Sequence, residues 1–192
     1  MTSHPSSSPE MFVFPDGELP ASLECQVLSF QRITWPEGFS GELRLRDWIH
    51  NPAHHPMHFV LAERGVLVSY VGVLWKHLQH AGETYKTYGL SGALTYPAFR
   101  RQGNARRLVD TATSYIRQSD ADIGLFTCAP ALRSFYSATA WISMDSAALF
   151  GGPRSDPSLS DELTMMGFFS EKGRSGRPSF EAQPIYFDDD LW

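Results

Sequence analysis

The stretch Arg100-Arg101-Gln102-Gly103-Asn104-Ala105 follows a strand-like segment that ends at Leu94-Thr95-Tyr96-Pro97 and precedes a helix-like segment, Arg106 to Ile116. The first amides of a helix lack intrahelical partners, and the aligned peptide dipoles leave partial positive charge at that end. A strand, a short loop and a helix in this order therefore make a cradle for an anion such as phosphate. Gly103 lets the ligand come close, and the two arginines add planar donors that suit phosphate oxygens.

A second motif lies downstream, running from Cys128-Ala129-Pro130-Ala131 through the pair Phe135-Tyr136 to Trp141. Together the two motifs resemble the GCN5-related N-acetyltransferases (GNAT), whose acetyl-coenzyme A loop has the pattern Gln/Arg-x-x-Gly-x-Gly/Ala after the fourth strand. In that family a small helix with a Phe-Tyr pair comes after the fifth strand. The resemblance covers about residues 22 to 150. It implies an α/β fold with a mixed, mostly antiparallel central sheet, splayed central strands and helices on both faces.

The length of 192 residues predicts one domain, large enough to bury roughly two-thirds of its unfolded surface. Residues 1–20 are rich in proline and serine and are predicted to form a flexible N-terminal segment, with Met11 to Phe14 left open as an ordered exception. Residues 21–192 are predicted to form a single acetyltransferase domain whose C-terminal tail contributes to the substrate site.

The net charge of −5 disfavours nucleic acid as a partner, because nucleic acid requires a basic surface, and it suits a cationic substrate. No apolar run reaches the ~20 residues of a membrane-spanning helix, and the N-terminus has no signal-peptide pattern. Cys25 and Cys128 lie far apart without metal-ligand spacing, so free thiols in a reducing compartment are expected. We therefore expect a cytoplasmic protein with no membrane partner, while a homodimer is left open.

The spacing of apolar residues predicts the order of the secondary-structure elements. Strands are expected at Leu23–Phe30, His58–Glu63, Val66–Trp75, Thr84–Thr95, Asp122–Thr127, Ile142–Phe150 and Thr164–Phe169. Helices are expected at Glu42–His50, Arg106–Ile116 and Arg133–Ala140. The order strand, helix, hairpins, helix, strand, helix and strands is the one that the acetyltransferase resemblance implies.

The resemblance places the pyrophosphate of acetyl-CoA, the implied cosubstrate, on the loop after the fourth strand. It places the thioester carbonyl at a backbone N–H near Leu94, where the fourth and fifth strands splay. Backbone donors aimed at a forming oxyanion contribute ~3 kcal/mol each. The implied coenzyme-binding residues are Leu94, Thr95, Arg100, Arg101, Gln102, Gly103, Asn104 and Ala105.

Tyr136 takes the position of the family's general acid, whose hydroxyl lies near the coenzyme sulfur. A thiol with an ordinary pKa near 8.5 leaves more readily when a neighbour supplies a proton. The alternative is that Tyr136 is a core aromatic residue beside Phe135. No equally clear base is present, because the fourth strand carries Leu90-Ser91-Gly92-Ala93 where related aminoglycoside enzymes carry a glutamate. Ser91 is a candidate for holding a water or a substrate hydroxyl, or is an ordinary strand serine.

The C-terminal segment Asp188-Asp189-Asp190-Leu191-Trp192 resembles the Asp-x-Trp ending of the aminoglycoside 2'-N-acetyltransferases. In that family the carboxylate of the final tryptophan lies in the substrate site beside the amine, which makes Trp192 a candidate catalytic group. Carboxylates there attract a polycationic sugar. The alternative is an exposed acidic tail without a role. The implied substrate residues are Glu37, Glu42, Asp47, Ser91, Gly92, Asp161, Glu162, Asp188, Asp190 and Trp192.

Four histidines, His50, His54, His55 and His58, lie close together in the sequence. Prolines between them break helical spacing and no cysteine joins them, so no metal site is expected. A substrate or base role for one of them is a minor alternative, since neutral histidine accepts a proton near pH 7.

The residues and the resemblance together predict an acetyl-CoA-dependent N-acetyltransferase that modifies an amino group of an aminoglycoside antibiotic and so confers resistance. Acetylation at the 2' amine is expected, with a small aminoglycoside of the kasugamycin type as one candidate. Two alternatives are an acetyltransferase for another small amine or a peptide N-terminus, and an inert acetyl-CoA-binding module.

Overall fold

The computed structural model describes residues 8–188 and 191–192, so Asp190, a predicted substrate residue, lies outside the described residues. The chain divides into two compact units. The first contains the described residues up to Gly72 together with Gly92–Val109. The second contains Val73–Ser91 and the described residues from Asp110 onward.

Ten strands and four α-helices form in the described residues. The strands are β1 (Glu10–Pro15), β2 (Met57–Glu63), β3 (Val66–His80), β4 (Glu83–Thr95), β5 (Ile123–Cys128), β6 (Ile142–Ser143), β7 (Leu149–Gly151), β8 (Ser158–Leu159), β9 (Leu163–Phe168) and β10 (Ile185–Tyr186). The helices are α1 (Ala21–Thr34), α2 (Asn104–Gln118), α3 (Arg133–Ser137) and α4 (Glu171–Ala182).

The strands form two sheets. The larger has the order β1-β2-β3-β4-β5-β9-β6, and the smaller has the order β10-β7-β8. Within them β4 runs parallel to β5 and β10 runs parallel to β7, whereas β1–β2, β5–β9, β6–β9 and β7–β8 are antiparallel. The predicted α/β fold with a mixed, mostly antiparallel sheet is confirmed.

In the first unit, α1 packs its apolar face into a core of buried side chains. Leu23, Val27 and Leu28 of the helix join Val60, Leu67, Tyr70 and Leu94 of the strands in that core. The prediction of a strand at Leu23–Phe30 is therefore wrong. Leu23, Val27 and Gln31 are all buried and recur every four residues, which is the period of a helix face rather than of a strand.

The strand β1 pairs with β2 from Glu10↔Ala62 to Pro15↔Met57. Residues 10–15 thus belong to the sheet, although the sequence analysis began the domain at residue 21. The predicted helix at Glu42–His50 is also wrong. Two 3₁₀ turns, Pro36–Phe39 and Gly41–Leu45, lie in this region instead, and Gly41 has a φ of +54°, outside the helical range.

In the second unit, β5 pairs with β9 over six residues, from Ile123↔Phe168 to Cys128↔Leu163. The predicted single strand Ile142–Phe150 is divided between the two sheets as β6 and β7. The residues between them turn, with Ala147 N donating to Met144 O at 3.1 Å. None of the helices in residues 8–188 and 191–192 combines the length and the apolar character needed to cross a membrane.

Asp122 joins three elements of the second unit. Its side chain accepts hydrogen bonds from Lys86 N at 3.0 Å and from Ser170 Oγ at 2.7 Å. Its carbonyl oxygen accepts from Phe169 N at 2.9 Å. Ser170 in turn caps α4 by accepting from Gly173 N at 3.0 Å. The residue therefore fixes the start of β5, the middle of β4 and the start of α4 together.

We predict that Asp122→Ala lowers the free energy of unfolding by roughly 2–3 kcal/mol, because two donors lose their acceptor and a helix cap loses its anchor. The matched control is Asp120→Ala. Asp120 pairs with Lys86 at 2.7 Å but its side chain is 67% exposed, so we expect a loss of less than ~1 kcal/mol. Denaturant unfolding measures both, and equal losses for the two variants would contradict the role of Asp122.

Candidate active site

The loop after β4 belongs to the first unit and begins with a 3₁₀ turn, Pro97–Phe99. Two residues with positive φ follow, Arg101 at +60° and Gly103 at +81°. The chain turns at these residues, and α2 begins after them. There Arg107 N donates to Gly103 O at 2.9 Å. The predicted strand, loop and helix are therefore present, and Gly103 is the residue from which the helix starts.

Three side chains that were predicted to bind the coenzyme form hydrogen bonds within the loop. Arg100 Nε donates to Thr95 O at 3.0 Å, Gln102 Nε2 to Ala98 O at 3.2 Å, and Asn104 Nδ2 to Phe99 O at 3.0 Å. These bonds occupy donors that the sequence analysis assigned to phosphate. Their effect is to fix the backbone, and the anion-binding donors that this backbone offers are its amides.

The geometry of the loop is compatible with a bound phosphate group. Arg101, Gln102 and Gly103 are exposed. A Cβ built on Gly103 meets no atom within 4 Å, so the space beside its backbone is open. The dipole of α2 and the amides of its first turn, headed by Asn104 and Ala105, favour negative charge at this point. The residues fit a pyrophosphate held by backbone N–H groups.

The last residues of β4 are fixed by contacts with β3. Ser69 Oγ donates to Leu94 O at 2.7 Å and lies 2.7 Å from Thr95 Oγ1. Tyr96 N donates to Val68 O at 3.0 Å. Because successive amides of a strand point to opposite sides, the Thr95 N–H points away from β3. Of Leu94 and Thr95, the two residues of β4 predicted to bind the coenzyme, Thr95 is the one whose amide is directed away from β3.

Tyr136 lies in the second unit, on α3, and its ring packs edge-on against Phe126 of β5 with 4.8 Å between centroids. The side chain is 4% exposed. Burial, with a contribution from Cys128, raises the pKa of Tyr136 well above its usual value, so the phenol stays protonated.

Trp192 also lies in the second unit, beside β4 and β5. These strands share only the pairs Thr87↔Ile123 and Tyr88↔Gly124. Beyond them, Trp192 Nε1 donates to Leu125 O at 2.7 Å, and Trp192 O accepts from Thr127 N at 2.9 Å. A Cβ on Gly89 would come 1.8 Å from Trp192 Nε1. The tryptophan thus takes the sheet partners that β4 leaves unused, and the predicted proton-accepting role of its carboxylate stays a prediction.

The predicted acidic substrate residues that the structure describes are divided between the two units. Asp188 accepts from Arg154 Nε at 2.6 and 2.8 Å, so its charge is already paired. Glu37, Glu42 and Asp47 of the first unit are exposed, as are Asp161 and Glu162 of the second.

Two further polar residues lie beside Gly92, and the sequence analysis did not connect them with it. A Cβ on Gly92 would lie 2.8 Å from Gln31 Nε2 and 3.3 Å from His50 Cε1. Gly92 has a φ of +59° near the end of β4, a left-handed conformation that favours glycine. The histidine run was noticed in the sequence, but only the fold brings His50 to the strand. Ser91 and Gly92 are half-buried.

Comparison with protein families gives a direct assignment. The profile described as "Acetyltransferase (GNAT) domain" matches residues 14–142, so the chain belongs to the GNAT acetyltransferase family. Acetyl-CoA is the acetyl donor of this family, as the sequence predicted. No curated protein sequence matches the chain.

Solved structures show the same fold at low identity. An acyl-CoA N-acyltransferase from Pseudomonas aeruginosa is 13% identical, with 83% of this chain and 99% of that one covered and a TM-score of 0.58. ElaA from Escherichia coli is 13% identical over the same shares, with a TM-score of 0.57. The GNAT family N-acetyltransferase YhbS from E. coli, in complex with CoA, is 14% identical, with 95% and 92% covered and a TM-score of 0.54.

We predict that Gly103→Asp weakens acetyl-CoA binding at least ~100-fold, or roughly 2.7 kcal/mol, because it places a carboxylate against the phosphates. The matched control is Gly103→Asn, which has nearly the same size and the same tolerance of positive φ but no charge. We expect this variant to lose less than ~10-fold in affinity. Calorimetric titration with acetyl-CoA measures both, and equal affinities of the Asp and Asn variants would show that no phosphate binds there.

Proposed function

We propose that the chain transfers the acetyl group of acetyl-CoA to a primary amine of an aminoglycoside. The 2' amine of a small, kasugamycin-type amino sugar is the preferred acceptor, and acetylation would confer resistance. Membership of the GNAT family supports the acetyl transfer itself. The observation that carries the proposal at the level of this chain is the open backbone at Gly103, held in shape by the side chains of its own loop.

Transfer from acetyl-CoA requires that the protein hold the thioester in place and polarise its carbonyl group. We assign the phosphates to the amides of Gln102, Gly103 and Asn104, whose loop is exposed. We assign the thioester carbonyl to the Thr95 N–H, because this amide is directed away from β3. A backbone donor of this kind is fixed by the sheet before the reaction and stabilises the oxyanion without reorganisation.

The leaving thiolate takes a proton, which we assign to Tyr136. The proton that the attacking amine loses passes to solvent water, and Tyr136 is reprotonated from the solvent. A general acid has to be protonated when the bond to sulfur breaks. Burial raises the pKa of Tyr136 and so keeps the phenol protonated, although the same shift makes it a weaker acid. Cys128, its neighbour, has a pKa raised to about 11 by burial, with Glu162 contributing. The cysteine is thus protonated and does not compete as a nucleophile.

The proposal of a cationic amine as the acceptor is based on the charge of the protein. The net charge of −5 attracts cations to the chain as a whole. The exposed carboxylates of Glu37, Glu42 and Asp47 in one unit, and of Asp161 and Glu162 in the other, supply local attraction for ammonium groups. Because Asp188 is paired with Arg154, fewer acidic groups are available than the sequence suggests, and this favours a sugar with few amines.

The pairing of Asp188 with Arg154 also supports a second candidate substrate, another small monoamine or a peptide N-terminus. Neither of these requires many carboxylates. An assay of thiol release from acetyl-CoA separates the candidates across a panel of kasugamycin, larger aminoglycosides, polyamines and short peptides. We expect the highest kcat/KM with kasugamycin or a related small aminoglycoside. A highest value with a non-sugar amine would refute the aminoglycoside assignment, and coenzyme binding without any thiol release would identify an inert binding module.

We predict that Tyr136→Phe lowers kcat ~100-fold while acetyl-CoA affinity stays within a few-fold. The substitution keeps the ring that packs on Phe126 and removes only the hydroxyl, so the loss is chemical. The control is Phe135→Leu on the same helix, for which we expect a smaller change in kcat. Pre-steady-state measurement of the acetyl-transfer step gives the relevant rate, and an unchanged rate in the Phe variant would leave Tyr136 a packing residue.

A further inference from the structure

A cleft of about 640 Å³ lies in the second unit, at the outer edge of β9. The strand β6 pairs with β9 only at Ile142↔Met166 and Ser143↔Met165, whereas β9 continues to Phe168. The cleft lies at this uncovered end of β9, and its volume is in the range of pockets that hold small molecules. Its lining includes Arg117, Ile142, Phe168, Phe169, Arg174 and Arg177.

Two phenylalanines give the cleft apolar walls on both faces of the sheet. Phe168 packs on Phe180 of α4, with 6.0 Å between ring centroids. Phe169 packs edge-on against Trp141 at 5.8 Å, and Trp141 Nε1 donates to Thr113 Oγ1 of α2 at 2.9 Å. Because consecutive residues of an extended chain point to opposite faces, the cleft passes around the edge of β9 from the side of α2 to the side of α4. Both phenylalanines are half-buried, so part of each ring is accessible.

The polar part of the lining is cationic. Arg117 belongs to the last turn of α2, and Arg174 and Arg177 belong to α4. All three are exposed, and no carboxylate is among the described residues that line the cleft. Guanidinium groups around one space repel one another, and an anion bound between them removes that repulsion. The cleft is thus a place of concentrated positive charge in a chain whose net charge is −5.

Two of the three guanidinium groups are held in orientation by neighbours. Arg174 Nη1 donates to Phe169 O at 2.6 Å. Arg177 Nε donates to Glu181 Oε1 at 2.7 Å, and its Cζ lies 5.6 Å from the centroid of the Phe168 ring. A guanidinium has five N–H donors, so each of these groups retains donors for a ligand. Since Glu181 offsets one of the three charges, a charge of about +2 remains for the ligand to balance, which fits a phosphate monoester better than a single carboxylate.

The cleft is distant from the group that we assign as the general acid within the same unit. Phe168 pairs with Ile123 at one end of the β5–β9 ladder, and Leu163 pairs with Cys128 at the other end. Five residues along a strand span roughly 17 Å. Tyr136 packs on Phe126, near the Cys128 end. A ligand in the cleft would therefore not occupy the place of the leaving thiol.

We propose that this cleft is a second binding site, whose ligand is a small aromatic phosphate monoester. The phosphate oxygens accept hydrogen bonds from the guanidinium groups of Arg117, Arg174 and Arg177. The aromatic ring of the ligand packs against Phe168 and Phe169. The site requires both parts of the ligand, because the charged and the apolar lining belong to one space.

Calorimetric titration with phenyl phosphate tests the proposal. The titration is made in saturating CoA, so that the probe does not bind where the coenzyme phosphates bind. We expect a dissociation constant of about 1 mM or lower. Inorganic phosphate and phenol each carry one part of the probe, and benzoate carries a ring with a single charge. We expect each of the three to bind at least ~10-fold more weakly than phenyl phosphate.

The variants Arg117→Gln and Arg177→Gln remove charge from two different walls of the cleft. We expect each to weaken phenyl phosphate binding ~10-fold, with the midpoint of thermal unfolding nearly unchanged because both side chains are exposed. The matched control is Arg133→Gln. Arg133 is also exposed, but it pairs with Asp145 at 2.7 Å and does not line the cleft. This variant should keep the affinity of the unmodified protein.

Four results would overturn the proposal. The first is absence of phenyl phosphate binding, or equal affinity in the two cleft variants and the unmodified protein. The second is equal affinity for inorganic phosphate and phenyl phosphate, which would indicate an adventitious ion only. The third is tighter binding of benzoate, which would indicate a carboxylate site. The fourth is binding of a phosphotyrosine peptide without binding of phenyl phosphate, which would indicate a surface for a protein partner.

Discussion

The pairing of β4 with β5 is the constraint on which the rest depends. It covers only Thr87↔Ile123 and Tyr88↔Gly124. Beyond it, β5 has a carbonyl and an amide left to satisfy, and Trp192 supplies both partners through its indole N–H and its main-chain oxygen. Outside this pairing β4 is also bound beside the start of β5, because Lys86 N donates to Asp122 Oδ2 at 3.0 Å and Asp122 N donates to Lys86 O at 2.9 Å. The role that we propose for the Thr95 N–H requires an unused backbone donor, because a fully paired strand has none to offer.

Two groups of polar side chains in the first unit differ in how far their hydrogen bonds are satisfied. The loop at Gly103 satisfies its own carbonyls with the side chains of Arg100, Gln102 and Asn104, so its backbone is rigid while the space beside it stays open. The cluster at Gly92 does the opposite and leaves Gln31 and His50 without partners. A rigid loop suits a ligand that every catalytic cycle shares, the coenzyme.

Local sequence was sufficient for β2, β4, α2 and the loop that joins β4 to α2, because glycine, alternating apolar residues and a helix start lie next to one another there. It failed at α1, where Leu23, Cys25 and Val27 alternate like a strand although Leu23, Val27 and Gln31 also fit a helix face. It gave no prediction of α4, whose glycines oppose a helix. Gly173 and Gly176 are needed because Asp122 O and the Tyr85 hydroxyl would lie 2.1 and 2.2 Å from added Cβ atoms. The Gln31–His50–Gly92 cluster combines residues distant in sequence, so only tertiary structure shows it.

We propose that backbone amides at the start of α2 hold the coenzyme phosphates. Hydrogen–deuterium exchange with and without CoA tests it most directly, since it reports on amides rather than on activity. The account predicts slower exchange in a peptide that covers Arg101 to Leu108 when CoA is added, and no such protection in the Gly103→Asp variant at the same CoA concentration. Unchanged exchange in that peptide under saturating CoA, with protection elsewhere in the chain, would contradict the account.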